Sequence, residues 1–359
     1  MKIYQVLVTL QRGDAIGNHA MLLADLLRKH GYQVETYAYN IGKGFSGKQD
    51  HVYDLRKIPQ PKQNDLVLYH LCEASPFNRL IQTWKCKKIA IYHNVTPPHF
   101  FAWLDQGVAA HQKESLKEVA SLKNTFDQIV ADSPFNKQEL IRMGFPEEKI
   151  VTIPIMIQFS DYAQQPDEKT IETWKDGRTN ILFVGRVAPN KKQEDIIRGF
   201  AWYKKHIDTQ ARLILIGSAF SETYLYYLKE YIAALGVEDV VFPGHISFQE
   251  ILGFYRSADV FLCMSEHEGF CVPLIEAMFF HVPIVAYDST AIASTLGNGG
   301  ILLKQKNPVL VGKTIELLMK DQQLREQVIE EEKERIELFS LERVGRQFLK
   351  TIQEVVEKV

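Results

Sequence analysis

Short apolar runs alternate with amphipathic stretches in the first half of the chain. The apolar runs predict strands at residues 3–10, 33–39, 66–71, 89–93 and 128–131. Between the first two strands, apolar residues at helical spacing precede Gly31, and this pattern indicates a helix that ends at the glycine. Since strands that alternate with helices form right-handed βαβ units, we expect a parallel sheet.

The alternation lapses at a polar stretch, 158–179, which we interpret as the interdomain region, and then restarts. Further strands are predicted at 181–184, 212–216, 240–242, 260–264, 284–287 and 301–303. Helices are expected near 193–206, 223–235, 247–256, 273–280 and 308–320, and 323–359 has the pattern of a charged helical tail. The prediction is an α/β fold of two doubly wound, Rossmann-like domains, 1–160 and 161–340, facing across a ligand-binding cleft.

The tail carries a stripe of apolar residues that is a candidate for burial. Its members are Leu341, Val344, Phe348 and Leu349. A terminal helix at about 341–359 is therefore a candidate to pack back on the first domain.

Composition argues against several classes of protein but does not identify one. The 359 residues are 46% apolar and 24% charged with a formal net charge of −2, so no basic field indicates nucleic-acid binding. The four cysteines form no C-x-x-C pair, which favours a reduced, cytoplasmic compartment and no zinc site. No leader peptide is expected at the N-terminus, and no apolar run approaches the roughly 20 residues of a transmembrane helix, so any membrane contact is expected to be peripheral.

The segment 265–278 contains the largest group of candidate functional residues. It follows a predicted strand, and Pro273 is suited to the first position of a helix. A helix N-terminus offers unpaired peptide N–H groups and a dipole to a phosphate, here from Val272, Leu274 and Ile275. The segment therefore predicts an anion site at the start of this helix.

Two glutamates flank this helix start. Glu276 is expected in the first helical turn, where its carboxylate can accept hydrogen bonds from a diol such as ribose, and Glu268 is expected in the preceding loop. For either residue alone, a solvated carboxylate favoured by the helix dipole is the simpler interpretation.

A second candidate segment follows the strand at 181–184. Gly185 ends the strand, and Arg186 and Lys191 emerge from the loop after it. Arginine offers a planar fork of donors to phosphate oxygens and lysine a point charge, although solvated surface residues are the simpler interpretation. Lys191 fits the spacing of such a pair better than Lys192.

Two weaker signals lie in the first half. Gly13 and Gly17 stand between the first strand and helix, where glycine allows close approach of backbone to a ligand, but a plain turn is equally compatible. His93 ends a strand and precedes Asn94 and two prolines, which would hold its imidazole at the carboxyl edge of the sheet, whereas a lone histidine is usually structural. His99 is a weaker candidate.

Taken together, these segments resemble the family-4 retaining glycosyltransferases of the GT-B fold, over nearly the whole chain. Glu268 and Glu276 match the E-x7-E motif, and Arg186 and Lys191 match the diphosphate-binding pair. The resemblance implies that Glu276 holds the donor ribose and Glu268 faces the transferred sugar. It further implies that His93 contacts that sugar.

The resemblance also implies the rest of the donor site. Contacts are expected from the loop of Gly13 and Gly17, from the backbone near Ile246, and from Gly185, Phe270, Cys271, Val272 and Leu274. Cys271 departs from the family, which often has glycine there, so a positive φ becomes less expected at this position. The first domain would hold the acceptor and the second the nucleotide sugar.

The implied function is transfer of a hexose, with retention, from a nucleoside-diphosphate sugar such as GDP-mannose or a UDP-hexose to an acceptor hydroxyl. The acceptor would be a glycan or lipid-linked sugar in surface-polysaccharide or glycolipid biosynthesis, with contact at the inner face of a membrane left open. No cofactor and no metal are expected, because the chain has no Asp-x-Asp pair and Arg186 and Lys191 can neutralise the leaving group. Alternatives are a GT-B nucleotide-sugar epimerase, a sugar phosphorylase and a non-catalytic binding subunit.

Overall fold

The structure, a computed structural model, describes residues 1–45 and 47–357. The chain divides into two compact units: Met1–Gln158 together with Phe339–Val359, and Phe159–Leu338. Residues 358 and 359 of the predicted terminal helix lie outside the described residues.

In the described part of the first unit, a seven-stranded parallel sheet has the order β3-β2-β1-β4-β5-β6-β7. Its strands are β1 Lys2–Leu10, β2 Gln33–Ile41, β3 Val52–Asp54, β4 Leu66–Leu71, β5 Lys87–Tyr92, β6 Gln128–Ala131 and β7 Ile150–Thr152. All six residues of β4, the central strand, are buried, as expected for a sheet covered on both faces. The connecting helices are α1 Ala15–Lys29, α2 Gly47–Asp50, α3 Pro76–Thr83, α4 Gln106–Ser121 and α5 Pro134–Arg142.

The second unit, all of whose residues are described, holds a six-stranded parallel sheet with the order β10-β9-β8-β11-β12-β13. Its strands are β8 Asn180–Val184, β9 Arg212–Ile216, β10 Val240–Gly244, β11 Val260–Cys263, β12 Ile284–Tyr287 and β13 Ile301–Leu303. Its helices are α6 Phe159–Tyr162, α7 Glu168–Trp174, α8 Gln193–His206, α9 Glu222–Leu235, α10 Phe248–Ser257, α11 Val272–Phe279, α12 Ile292–Leu296, α13 Pro308–Lys320 and α14 Gln322–Ile336.

The chain returns to the first unit through its last helix, α15 Leu341–Glu357. Val344 and Phe348 are buried in the same apolar cluster as Leu23 and Leu27 of α1, and Leu341 and Leu349 pack against its edge. The tail is therefore two helices and not one: α14 ends before the 3₁₀ turn Glu337–Phe339, and only α15 carries the apolar stripe.

The polar stretch 158–179 is not a loose linker. It contains α6 and α7, and both belong to the second unit. Tyr162 of α6 is buried despite its polar neighbours. The pattern also missed β3 and β7, three-residue strands at the two sheet edges, because three residues are too few to show a period.

Among the described residues, no helix is both long enough and apolar enough to cross a membrane.

Removing the Phe348 side chain should destabilise the first unit. Phe348 is about 1% exposed, and truncation of a buried phenylalanine costs about 3–5 kcal/mol of unfolding free energy. Hydrogen-exchange mass spectrometry of Phe348→Ala should show faster exchange in α1 and β1 but not in β8 or β9. Lys350→Ala is the control on the same helix, with a side chain that is 78% exposed, and should change stability by no more than about 0.5 kcal/mol. Equal protection in Phe348→Ala and wild type would contradict this role.

Candidate functional site

The loop after β8 begins with Gly185 and Arg186. Gly185 has φ +152°, and its N–H donates to the carbonyl of Ile216 on β9 at 2.9 Å, so the chain leaves the sheet in a conformation that favours glycine. Arg186 is exposed, and its guanidinium lies 5.1 Å from the ring centre of Phe220. Its backbone carbonyl accepts a hydrogen bond from Gln193, which fixes the course of the loop.

Lys191 closes the same loop in the 3₁₀ turn Pro189–Lys191, just before α8. Its ammonium Nζ lies 2.5 Å from Oε2 of Glu268, whose side chain is 9% exposed. Burial disfavours the ammonium, but the carboxylate of Glu268 more than offsets this, so the pKa of Lys191 lies above its ordinary value. Glu268 is therefore a buried, paired carboxylate and not the solvated group of the simpler interpretation.

Lys192 faces different partners. Its Nζ lies 3.4 Å from Glu194 and 3.5 Å from Glu266, and its backbone has φ +55° at the N-cap of α8. The two neighbouring lysines thus extend to separate carboxylates.

The loops after β8 and β11 are joined by hydrogen bonds. The N–H of Glu266 donates to the carbonyl of Asn190 at 2.9 Å, and the side-chain amide of Asn190 donates to the carbonyl of His267 at 3.0 Å. Lys306 contacts both Glu266, at 2.7 Å, and Asp195, at 2.9 Å. These contacts hold the Lys191–Glu268 pair on a rigid support.

Cys271 corrects one expectation about the helix start. It has φ +77°, in the left-handed region that was less expected for cysteine, and it stands at the N-cap of α11. A non-glycine residue in this region costs on the order of 1–3 kcal/mol and persists only where its surroundings hold it. Here the preceding carbonyl of Phe270 accepts from the Thr295 hydroxyl at 2.5 Å, and the buried Cys271 thiol lies beside Cys263. That thiol contact, followed by burial, raises the pKa of Cys271 well above its ordinary value.

The start of α11 differs from the prediction in two further respects. The helix begins at Val272, so Pro273 is its second residue. The N–H of Leu274 donates to the carbonyl of Cys271 at 3.2 Å and is therefore not an unpaired donor. Val272 is the first residue of the helix, a position where the backbone N–H has no partner within the helix.

Glu276 is the fifth residue of α11 and not in its first turn. Its carboxylate accepts from the hydroxyl of Tyr255 at 2.7 Å and of Tyr162 at 3.2 Å. Burial raises the pKa of Glu276, and the two phenol donors act in the opposite direction. Sequence reasoning missed both tyrosines, because Tyr162 lies in a polar stretch and Tyr255 has the spacing of an ordinary core residue.

Ile246, the residue matched to base binding, lies half-buried between β10 and the N-cap of α10 at Ser247. Ile246 therefore lies in the loop that follows β10, and β9 separates β10 from β8 in the sheet.

In the first unit, His93 follows β5 but does not present its imidazole at an open edge. The side chain is 1% exposed. Its Nδ1 lies 2.7 Å from Oδ2 of Asp132, and its Nε2 lies 2.8 Å from Nδ1 of His70. Both ring nitrogens are therefore engaged in the interior, which corrects the expected placement; contact with a sugar stays a prediction.

A third imidazole, from His19, completes this cluster. The N–H of Met156 donates to Nδ1 of His19 at 2.9 Å, so His19 carries its proton on Nε2. The ring centres of His19 and His70 are 5.6 Å apart, and those of His19 and His93 are 5.7 Å apart. Burial, followed by the neighbouring His93, lowers the pKa of both His19 and His70 well below the ordinary value.

The glycine loop before α1 has a local structural explanation. Asp14 caps the helix by accepting from the N–H of Gly17 at 3.1 Å. A Cβ on Gly17 would lie 2.3 Å from the carbonyl oxygen of Gln11, so glycine is required for packing alone. Gly13 is exposed with φ +79° and donates to Asn18.

Residues 164–335 match the family model for glycosyl transferases group 1. The matched segment lies within the second unit and is similar to the group 1 glycosyl transferases. It contains all the candidate residues of the second unit: Gly185, Arg186, Lys191, Ile246, Glu268, Phe270, Cys271, Val272, Leu274 and Glu276.

Two curated relatives are similar to this chain over about half of its length. Mannosylfructose-phosphate synthase of Agrobacterium fabrum is 30% identical over 186 residues, which are 48% of this chain and 40% of the relative. O-antigen chain mannosyltransferase B of Escherichia coli is 24% identical over 202 residues, 54% of this chain and 52% of the relative. The chain thus spans about half the length of the curated relatives it matches.

A solved structure is similar over both units. The crystal structure of HepE from Anabaena in complex with UDP-glucose has a TM-score of 0.78 and 17% identity, covering 99% of this chain and 100% of that chain. This likeness confirms the predicted fold class, GT-B, with two Rossmann-like domains of parallel sheet.

The histidine cluster should make stability depend on pH. His19 is neutral in the fold but protonated in the unfolded chain below about pH 6.5, so acid favours unfolding by up to about 1.4 kcal/mol per pH unit for each such histidine. His19→Asn keeps an acceptor for the Met156 N–H and removes the titration. Between about pH 6.5 and 5, we expect the stability of this variant, measured by denaturant unfolding with hydrogen exchange, to fall less steeply than that of wild type.

The matched control for this experiment is His30→Asn, an exposed histidine at the end of the same helix. Its curve measures the effect of a histidine-to-asparagine change outside the buried cluster. Parallel curves for His19→Asn and wild type would show that His19 does not titrate on unfolding.

Proposed function

We propose that the chain is a glycosyltransferase that moves a hexose from a nucleoside-diphosphate sugar to an acceptor hydroxyl. One observation carries this: Arg186, Lys191 and Glu268 lie on the loops that follow β8 and β11, two strands paired in parallel. The carboxyl ends of adjacent parallel strands meet at one sheet edge, where ligands of such folds bind. The match of this segment to a glycosyl transferase family supports the proposal.

In this proposal Arg186 and Lys191 bind the diphosphate. The exposed guanidinium offers a fork of donors, and the ammonium, kept charged by Glu268, a second positive group. Negative charge grows on the leaving oxygen as the glycosidic bond breaks, so both cations stabilise the transition state more than the ground state. Glu268, beside Lys191, supports the sugar, and Glu276 holds the ribose.

The finer assignments are also proposals. We assign the chain to family 4, with retention by front-face attack through an oxocarbenium-like transition state and with the diphosphate oxygen accepting the proton. GDP-mannose and a UDP-hexose are the donors to test first, since one curated relative is named as a mannosyltransferase and the HepE structure holds UDP-glucose. The acceptor is a glycan or lipid-linked sugar of surface-polysaccharide or glycolipid biosynthesis, reached in the cytoplasm at the inner face of the membrane.

Turnover should depend on Arg186 and Lys191 as a unit. We expect Arg186→Ala and Lys191→Ala each to lose on the order of 10²–10³ in transfer rate, because each removes a preorganised charge from the leaving group. The double variant should lose less than the product of the single losses, since both residues act on one developing charge. Transfer rates at saturating donor would measure this.

The neighbouring lysine is the control for these variants. Lys192→Ala removes an ammonium that faces Glu194 and Glu266, so its rate should stay close to wild type. Lys191→Ala also leaves Glu268 buried without its partner, so circular dichroism and denaturant unfolding are needed to separate a loss of folding from a loss of catalysis. Near-normal rates in both single variants would exclude the diphosphate site.

Turnover should also continue without a divalent metal. Among the described residues, no cluster of three or more His, Cys, Asp or Glu side chains is arranged to hold a metal ion. We expect transfer from UDP-, GDP- or dTDP-sugars to persist in excess EDTA. Complete loss of transfer that magnesium or manganese restores would refute metal independence, and release of an isomerised nucleotide sugar without acceptor would indicate an epimerase instead.

A further inference from the structure

The carboxyl group of Glu276 is held from both sides by phenols on two other helices. Tyr255 of α10 donates to Oε2 at 2.7 Å, and Tyr162 of α6 donates to Oε1 at 3.2 Å. Each carboxyl oxygen of Glu276 therefore accepts a hydrogen bond from a different phenol. Rotation of the carboxyl plane would break both hydrogen bonds, so the pair defines the orientation of the group.

The phenols are themselves fixed by aromatic packing. The ring of Tyr255 stacks on Phe280 with centres 5.2 Å apart and an interplanar angle of 10°, and Tyr162 packs against Phe279 at 5.4 Å. Both tyrosines are buried, at 1% and 8% exposure. Buried aromatic rings lose little further entropy when they hold a partner, so the two hydroxyls are preorganised donors.

Counting hydrogen bonds shows what remains for a ligand. A carboxylate has about four acceptor positions, two on each oxygen. The phenols occupy one position on each oxygen, which leaves one on each. Two acceptors side by side in one plane fit two hydroxyls on adjacent carbons, whereas a lone hydroxyl would use only one of them.

We propose that Tyr255 and Tyr162 are positioning residues that orient Glu276 for the vicinal diol of a ribonucleoside diphosphate, and so make the site selective against 2′-deoxyribonucleotides. This inference rests on the proposed function and adds two residues and a selectivity to it. Burial raises the pKa of the Glu276 carboxyl group, and the two phenols oppose this effect.

The test is calorimetric binding of UDP and GDP, and of their 2′-deoxy forms, to wild type, Tyr255→Phe, Tyr162→Phe and the double variant. Phenylalanine keeps the packing and removes only the hydroxyl. We expect wild type to bind the ribonucleotide about fivefold or more tightly than the deoxy form, as the loss of one hydrogen bond implies. Tyr255→Phe should lose most of this preference, with little change in affinity for the deoxy form.

The matched control is Tyr92→Phe, which removes a buried phenol that donates to Glu139 at 2.5 Å in the other unit. It should leave nucleotide selectivity unchanged. A purely structural role for Tyr255 predicts equal losses for both nucleotides, and that result, or an unchanged preference in the double variant, would overturn the inference.

The wild-type protein separates this inference from the proposed function. Equal wild-type affinity for ribo and deoxy forms would refute the diol site and leave the diphosphate site standing. Absence of any binding by wild type would refute both.

Discussion

The ion pair between Lys191 and Glu268 is the central contact of the candidate site in the second unit. It joins the loop after β8 to the loop after β11, and the backbone bonds of Asn190 to Glu266 and His267 hold the two loops together. Removing one partner from a buried ion pair leaves an uncompensated charge, so Lys191 and Glu268 stabilise each other in the fold. The same pair therefore links the two loops that carry the candidate diphosphate-binding residues.

Two other residues of this unit are in locally unfavourable states that neighbouring groups stabilise. Cys271 adopts a left-handed backbone, and Glu276 is a carboxylate placed among aromatic rings. Each would be unfavourable alone. The surroundings of Thr295 and Cys263 hold the first, at the N-cap of α11, and two phenols hold the second, one turn further along the same helix.

The first unit has a polar cluster of a different kind, made of histidines. His19, His70 and His93 lie together in the interior, with Asp132 as the acceptor at one end. His19 and His70 each use Nδ1 in a hydrogen bond, and burial lowers the pKa of both. We expect this cluster to couple the stability of the first unit to pH, whereas in the second unit Glu268 raises the pKa of the neighbouring Lys191 despite burial.

The sequence by itself determined the α/β alternation, most strand positions and the segments that carry Arg186, Lys191, Glu268 and Glu276, because periodicity and short motifs are local. It could not determine the partners of those residues. Tyr162 lies 114 positions from Glu276 in the chain, and His70 lies 23 from His93. Whether a carboxylate is solvated or paired, and whether an imidazole faces a ligand or the interior, depends on side chains that only the folded sheets bring together. Tertiary structure alone decided these points, because burial and hydrogen-bond partners are properties of contacts and not of sequence spacing.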